Sequence, residues 1–165
     1  GWANLSNAPF RMYKRYTHEG GVATPLIVHW PDGLKDQNKL RHSPGHIIDI
    51  APTCLNAAGL STKGMEGQTL LPVFTKDSTQ PRTLFWEHEG NRAVRQGDYK
   101  LVAQHNTPWE LYNMRKDRNE LHDLSRSIPQ KAAELKKLYE AWAHRVGAKP
   151  WDEVSVIRKK KPPKK

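Results

Sequence analysis

The residues best placed to do chemistry share one stretch, Lys14-Arg15-Tyr16-Thr17-His18-Glu19-Gly20-Gly21, which runs on into Val22-Ala23-Thr24-Pro25-Leu26-Ile27-Val28-His29-Trp30-Pro31. The compact ammonium of Lys14 suits the stabilisation of developing negative charge. His18 and Glu19 border the same loop, and the paired glycines permit positive φ or close backbone approach. A second polar cluster is Glu87-His88-Glu89-Gly90-Asn91, where i, i+2 spacing on a strand puts both carboxylates on one face. It lacks a second His or Cys at zinc-motif spacing. For each cluster the residues alone leave a bland reading open: a solvated Lys14/Glu19 pair in the first, a structural turn in the second.

The elements that must hold these residues follow from the pattern. Val22 to Trp30 has the length and β-branched content of a buried strand, which would place Lys14 and its neighbours on a loop at a strand end. Ahead of it, residues 1–19 read as irregular loop whose aromatics, Trp2, Phe10, Tyr13 and Tyr16, are expected to lie on a surface. Asp32 to His42 reads as an exposed loop opened by an Asp32-Gly33 turn. Ser43-Pro44 starts a helix carrying Ile47, Ile48, Ala51, Leu55 and Ala58 up to Gly59, bent or restarted at Pro52. Cys54 lies in that apolar pattern and is expected to be a buried, inert thiol.

From Arg82 onward short strands alternate with turn residues. Residues 83–87, 93–95, 99–103 and 109–113 predict an antiparallel meander, with turns at Gly90-Asn91 and Gln96-Gly97-Asp98. A helix capped by Ser127, with Pro129 just inside, carries the stripe Leu135, Leu138, Tyr139, Trp142 and Val146 and closes at Gly147. Its apolar face is assigned to packing across the sheet, and beyond Val156 a disordered basic tail is expected.

Several of these segments resemble the sulfatase family of arylsulfatase type, within the alkaline phosphatase superfamily. They are Asn7-Ala8-Pro9-Phe10-Arg11 leading to Lys14; Lys14, four residues, then Glu19-Gly20-Gly21 and Thr24-Pro25; and a hydrophobic run closing at Trp30-Pro31. Asp49-Ile50-Ala51-Pro52-Thr53, the small-residue end Ala57-Ala58-Gly59, Gly67-Gln68-Thr69-Leu70-Leu71-Pro72 (Thr69 replacing the usual serine) and Pro150-Trp151-Asp152 extend the match. The resemblance spans roughly residues 7 to 152 and implies a C-terminal portion of such an enzyme. The implied fold is α/β (an α+β fragment): residues 1–78 as the last part of the large α/β domain, 79–153 as a small subdomain of four antiparallel strands and a helix, and 154–165 as a tail.

The resemblance also implies roles. Lys14 would be catalytic, touching a sulfuryl oxygen and the departing oxygen. His18, His88 and Asn91 would contact substrate, and Glu19 would hold the Gly20-Gly21 turn through backbone N–H groups. The parent enzyme would use calcium and a formylglycine made from Cys or Ser in Cys/Ser-x-Pro-x-Arg, with a sulfate ester as substrate. Neither cofactor is expected to be held by this chain alone. Cys54 is followed by Leu55-Asn56-Ala57-Ala58, and Ser6 stands one residue too far from Pro9 for that motif. Calcium needs six or more oxygen ligands, which Glu19 cannot supply by itself. The N-terminal sulfatase half is therefore the expected partner, the isolated chain is expected to be inactive, and a periplasmic, secreted or lysosomal parent is implied.

Composition narrows the alternatives. Hydrophobic residues make up 36% of the 165, with 12 Pro and 11 Gly, so a self-sufficient core is not assured. The net charge of +10 invites a polyanion-binding reading, yet Arg158, Lys159, Lys160, Lys161, Lys164 and Lys165 supply six of those charges in the last eight residues. The body lacks a basic stripe with interleaved aromatics, so nucleic acid is not expected as a partner. A single cysteine excludes an intrachain disulfide, and no apolar run approaches the ~20 residues of a membrane span. There is no initiating Met or visible signal peptide, which suits a fragment. The other readings are a phosphatase or phosphonate hydrolase of the same superfamily and a non-catalytic module binding a polyanionic glycan or nucleic acid.

Overall fold

The computed structural model describes residues 1–35, 38–77 and 82–160, with residues 157–160 described by their backbone alone. Two compact units divide the chain: Gly1–Thr24 with Pro81–Lys165, and Pro25–Gln80. The first 24 residues, grouped by sequence with residues 25–78, thus pack with the later sheet. The division expected between residues 78 and 79 falls outside the described residues.

In the first unit, α1 (Trp2–Asn7) and the short α2 (Glu19–Val22) precede the sheet. The sheet is formed by β1 (Thr83–His88), β2 (Asn91–Gln96), β3 (Tyr99–Ala103) and β4 (Glu110–Asn113), all antiparallel in the order β1-β2-β3-β4. The predicted meander is present, with its turns shifted by one residue. His88 pairs with Asn91 and Gln96 with Tyr99, leaving two-residue turns at Glu89-Gly90 and Gly97-Asp98. Glu89 and Gly90 both have positive φ, 51° and 82°, the mirror-image turn whose twist matches a hairpin.

Alternation along the strands sends two different sets of side chains to the two faces. Val94, Leu101 and Leu111 bury one face against Leu135 and Tyr139 of α5 (Pro129–Val146), with Phe85 stacked on Trp142 at 5.1 Å. The stripe read from sequence is this contact. Ile128, not Ser127, is the N-cap of α5, while Gly147 closes it in the left-handed region at φ 68°. The opposite face carries Ala93, Val102 and Tyr112, and with them Lys100, opposite Tyr112 in the β3–β4 register.

The second unit contains a 3-10 turn (Ile47–Asp49), α3 (Ile50–Ala57) and α4 (Leu71–Thr75). Pro52 stands in the first turn of α3, where its missing N–H costs nothing. Asp49 and Thr53 tie α3 to the segment before α4: Asp49 accepts from Gln68 N–H at 2.9 Å, and Thr53 Oγ1 accepts from Leu70 N–H at 2.8 Å. These two polar residues give Asp49-Ile50-Ala51-Pro52-Thr53 a structural purpose.

Four expectations are corrected. Val22 to Trp30 is not a strand: Val22 ends α2, and residues 23–30 have no ladder partner among the described residues, without which strand N–H and C=O groups have nothing to pair with. Leu26 and Ile27 are accordingly exposed. Residues 2–7, expected as loop, are helical because Ser6 and Asn7 bond back to the carbonyls of Trp2 and Ala3. Cys54 is exposed rather than buried, since the face of α3 on which it lies opens onto a cavity with Leu26, Val28 and Trp30. Residues beyond Val156 continue α6 (Trp151–Lys160), where Asp152 and Glu153 at its N-terminus and a basic sequence at its C-terminus both complement the helix dipole. Residues 161–165 of the expected tail lie outside the described ones. No helix among the described residues is long and apolar enough to cross a membrane.

Candidate active-site loop

The loop from Arg11 to Gly21 closes on itself. Gly20 N–H donates to the Arg11 carbonyl at 2.8 Å, so Lys14 sits within a loop whose two ends touch. A Cβ on Gly20 would collide with the Met12 carbonyl oxygen, and one on Gly21 with that of Tyr16. Close backbone approach, not positive φ, is what these glycines provide.

Both ends of the loop are anchored on the Lys100 face of the sheet. Lys100 is 0% exposed, with its Nζ 3.0 Å from Glu19 Oε1 and 2.8 Å from Glu120 Oε1. Glu120 Oε2 also accepts from Glu19 N–H at 2.8 Å, and Arg118 Nε lies 3.4 Å from Glu19 Oε2 while its guanidinium covers Phe10. Burial pushes the Glu19 carboxyl up, but Lys100, with Arg95 and Arg118, outweighs it and holds the group below its ordinary value. At the other end, Arg11 Nη1 donates to Glu110 Oε2 and to Tyr112 Oη, each at 2.8 Å. Burial raises the Glu110 carboxyl, yet hydrogen bonds from His18, Arg11 and Tyr112 bring it down to about 2. Burial and the Glu110 carboxylate together push the Tyr112 phenol up.

Lys14 itself is exposed on an open cavity of about 440 Å³, lined also by Asn7, Tyr13, Gly20, Gly21 and Thr24. The neighbouring cations are committed, Arg11 to Glu110 and Arg15 to Glu89 at 3.1 Å. Among the described residues no carboxylate pairs with Lys14. The arrangement offers one ammonium without a carboxylate partner, on a loop closed by its two glycines and lining an open cavity.

The other residues singled out in the sequence are not brought to that cavity. His18, expected to contact substrate, is 1% exposed, and its Nε2 lies 3.1 Å from Glu110 Oε2. Asn91, expected in the same role, is 4% exposed and gives its amide to the carbonyls of Arg15 and His88. His88 stands exposed at the end of β1. Glu19 was expected to hold the turn through backbone N–H groups; its oxygens instead lie on Lys100 and Arg118. Of the anchors, Arg11 stands within a family motif, whereas Lys100, Glu110 and Glu120 lie outside every motif in the sequence. Lys100 had a signal, since a Lys inside an otherwise apolar strand is almost never buried without a partner.

The carboxylates of this loop do not fit a calcium ion. Glu19 and Glu120 already face Lys100, Glu110 faces Arg11, and among the described residues no three His, Cys, Asp or Glu side chains are grouped as a cation requires.

The family model for the C-terminal region of N-sulphoglucosamine sulphohydrolase matches residues 10–144. The chain belongs to the sulfatase family, as a C-terminal portion. An uncharacterized sulfatase of Schizosaccharomyces pombe is 30% identical over 158 residues, covering 86% of this chain and 28% of that protein. Arylsulfatase K of Danio rerio is 30% identical over 143 residues, covering 78% and 27%. Among solved structures, Ps i-CgsB, crystallised also in complex with k-i-k-neocarrahexaose, superposes with a TM-score of 0.69 at 25% identity, over 85% of this chain and 34% of that one. This sulfatase chain thus spans under a third of the length of the two curated relatives, and the four-stranded sheet with its helices is the fold of the matched neighbour.

Proposed function

We propose that this chain supplies the lysine-bearing wall of the active site of an enzyme that hydrolyses sulfate esters, with Lys14 as its catalytic residue. The observation that carries the reading is the single uncommitted ammonium on a loop fixed at both ends, on an open cavity that Gly20 and Gly21 also line. In ester hydrolysis the bond between sulfur and the ester oxygen breaks, and the electron pair goes to the departing oxygen. An ammonium already in place stabilises that charge without reorganising, which is where such groups contribute most. The nucleophile is not in this chain, whose one cysteine lacks the modification motif. We therefore assign turnover to the full-length enzyme, assembled with an N-terminal portion that covers the exposed apolar residues of segment 26–30, and expect none from the isolated chain. A sulfated carbohydrate or aryl sulfate is the substrate class, and an exported or lysosomal setting accords with it.

The test is substrate choice. The full-length enzyme is expected to release inorganic sulfate from an aryl sulfate or a sulfated sugar far faster than phosphate from the matching phosphate monoester. Faster release of phosphate would overturn the assignment in favour of a phosphatase.

A further inference from the structure

The Lys14 loop has a third anchor, and that anchor has no proton left to offer a substrate. Asn91 opens β2 directly after the Glu89-Gly90 turn. Its Nδ2 donates to the Arg15 carbonyl at 3.1 Å and to the His88 carbonyl at 2.9 Å, while its Oδ1 accepts from His105 N–H at 3.3 Å. An amide has two hydrogens to give, and both are spent on backbone carbonyls. With 4% of its surface exposed, Asn91 is a bolt between the hairpin turn and the residue that follows Lys14.

Arg15 is a residue that needs such a bolt. Its φ is 98°, a conformation that a side chain with a Cβ rarely adopts unless the surroundings impose it. Glu89, from the same turn, takes the Arg15 side chain, but that guanidinium is 61% exposed and an exposed ion pair holds a backbone weakly. The part-buried bond from the buried Asn91 side chain is the firmer of the two ties. We propose that Asn91 is a positioning residue, which keeps the Lys14 ammonium on the departing oxygen by fixing the Arg15 carbonyl, and does not itself touch substrate. This inference rests on the catalytic assignment of Lys14.

Leaving-group dependence separates this role from mere support of the fold. In the full-length enzyme, Asn91→Asp keeps the acceptor for His105 N–H and removes both donors. Releasing the Arg15 carbonyl is expected to lower kcat by ~10-fold or more, with KM within about twofold, because small displacements of an aligned group are costly. The loss should grow along a series of aryl sulfates as the departing phenol becomes less acidic. In a Lys14→Ala background the same substitution should change kcat by less than about twofold, since coupled residues are not additive. Where Asn91→Asp fails to fold, Asn91→Ala removes both donors without adding charge and reads out the same dependence, which is a ratio between substrates and independent of the folded fraction.

Equal losses on every phenol, or losses that multiply with those of Lys14→Ala, would overturn the positioning role while leaving Lys14 catalytic. A Lys14→Ala enzyme with unchanged turnover would overturn both.

Discussion

Lys100 and Glu110 show how the loop is held at the level of single side chains. Lys100 sits between Glu19 and Glu120 with none of its side chain exposed. Removing one partner from such a group leaves charge buried without compensation, so Lys100→Met is expected to cost about 3–5 kcal/mol. A chemical-denaturation midpoint for the full-length enzyme checks this; an unchanged midpoint would mean the ion pairs hold nothing. Glu110 supplies the acid sensitivity of the other anchor. Its carboxyl is depressed to about 2 in the fold, against an ordinary value of 4.5, so its contribution is complete above the ordinary value and is lost as pH falls towards 2. Glu110→Gln should therefore flatten the decline in stability between pH 5 and 2, on the order of 1–3 kcal/mol, as read by melting temperature against pH. The loop that carries Lys14 is legible in the sequence because it has a family pattern. Asn91 and His18 were legible as polar residues near that loop, but their true partners, Arg15 in one case and Glu110 in the other, are 76 and 92 residues away in the chain. Spacing carries no information about such pairs.

The elements that read cleanly are those that satisfy themselves locally. The first two hairpins of the sheet close on two-residue turns, and α5 carries its own apolar stripe and left-handed glycine, so these strands and this helix are visible as pattern. Residues 22–30 carry an equally strong strand pattern, yet residues 23–30 have no ladder among the described residues, because the pattern reports side-chain type and strand pairing depends on a neighbour the pattern does not specify. The face of α3 beside that segment opens onto a cavity, and Cys54 is exposed with it. Leu101 marks the opposite case. It is fully buried in β3 between Val94, Leu111 and Leu135. Leu101→Ala should cost about 2–5 kcal/mol, the range for a buried Leu whose site cannot collapse. Thermal unfolding measures it, and a shift no larger than that of an exposed-site substitution would argue against this core.

At the scale of the whole molecule, the scaffold and the loop it holds fall in different parts of the chain. Lys100, Glu110 and Tyr112 on the sheet face opposite α5 hold the loop at both ends, and the loop places Lys14 at the lining of a cavity. Family membership is legible in the sequence because its motifs are short local runs, whether they close on the chain's own residues, as Arg11 to Gly21 does, or stand exposed, as Leu26 and Ile27 do. The division of labour was not, since residues 1–24 join the sheet through pairs about a hundred positions apart. The central claim, that this scaffold delivers a catalytic ammonium, is tested most directly by turnover of an aryl sulfate by the full-length enzyme carrying Lys14→Ala. The predicted result is a loss of ~10²-fold or more in kcat/KM, the scale for removing one charge-stabilising donor. Turnover within a fewfold of the unaltered enzyme would contradict it.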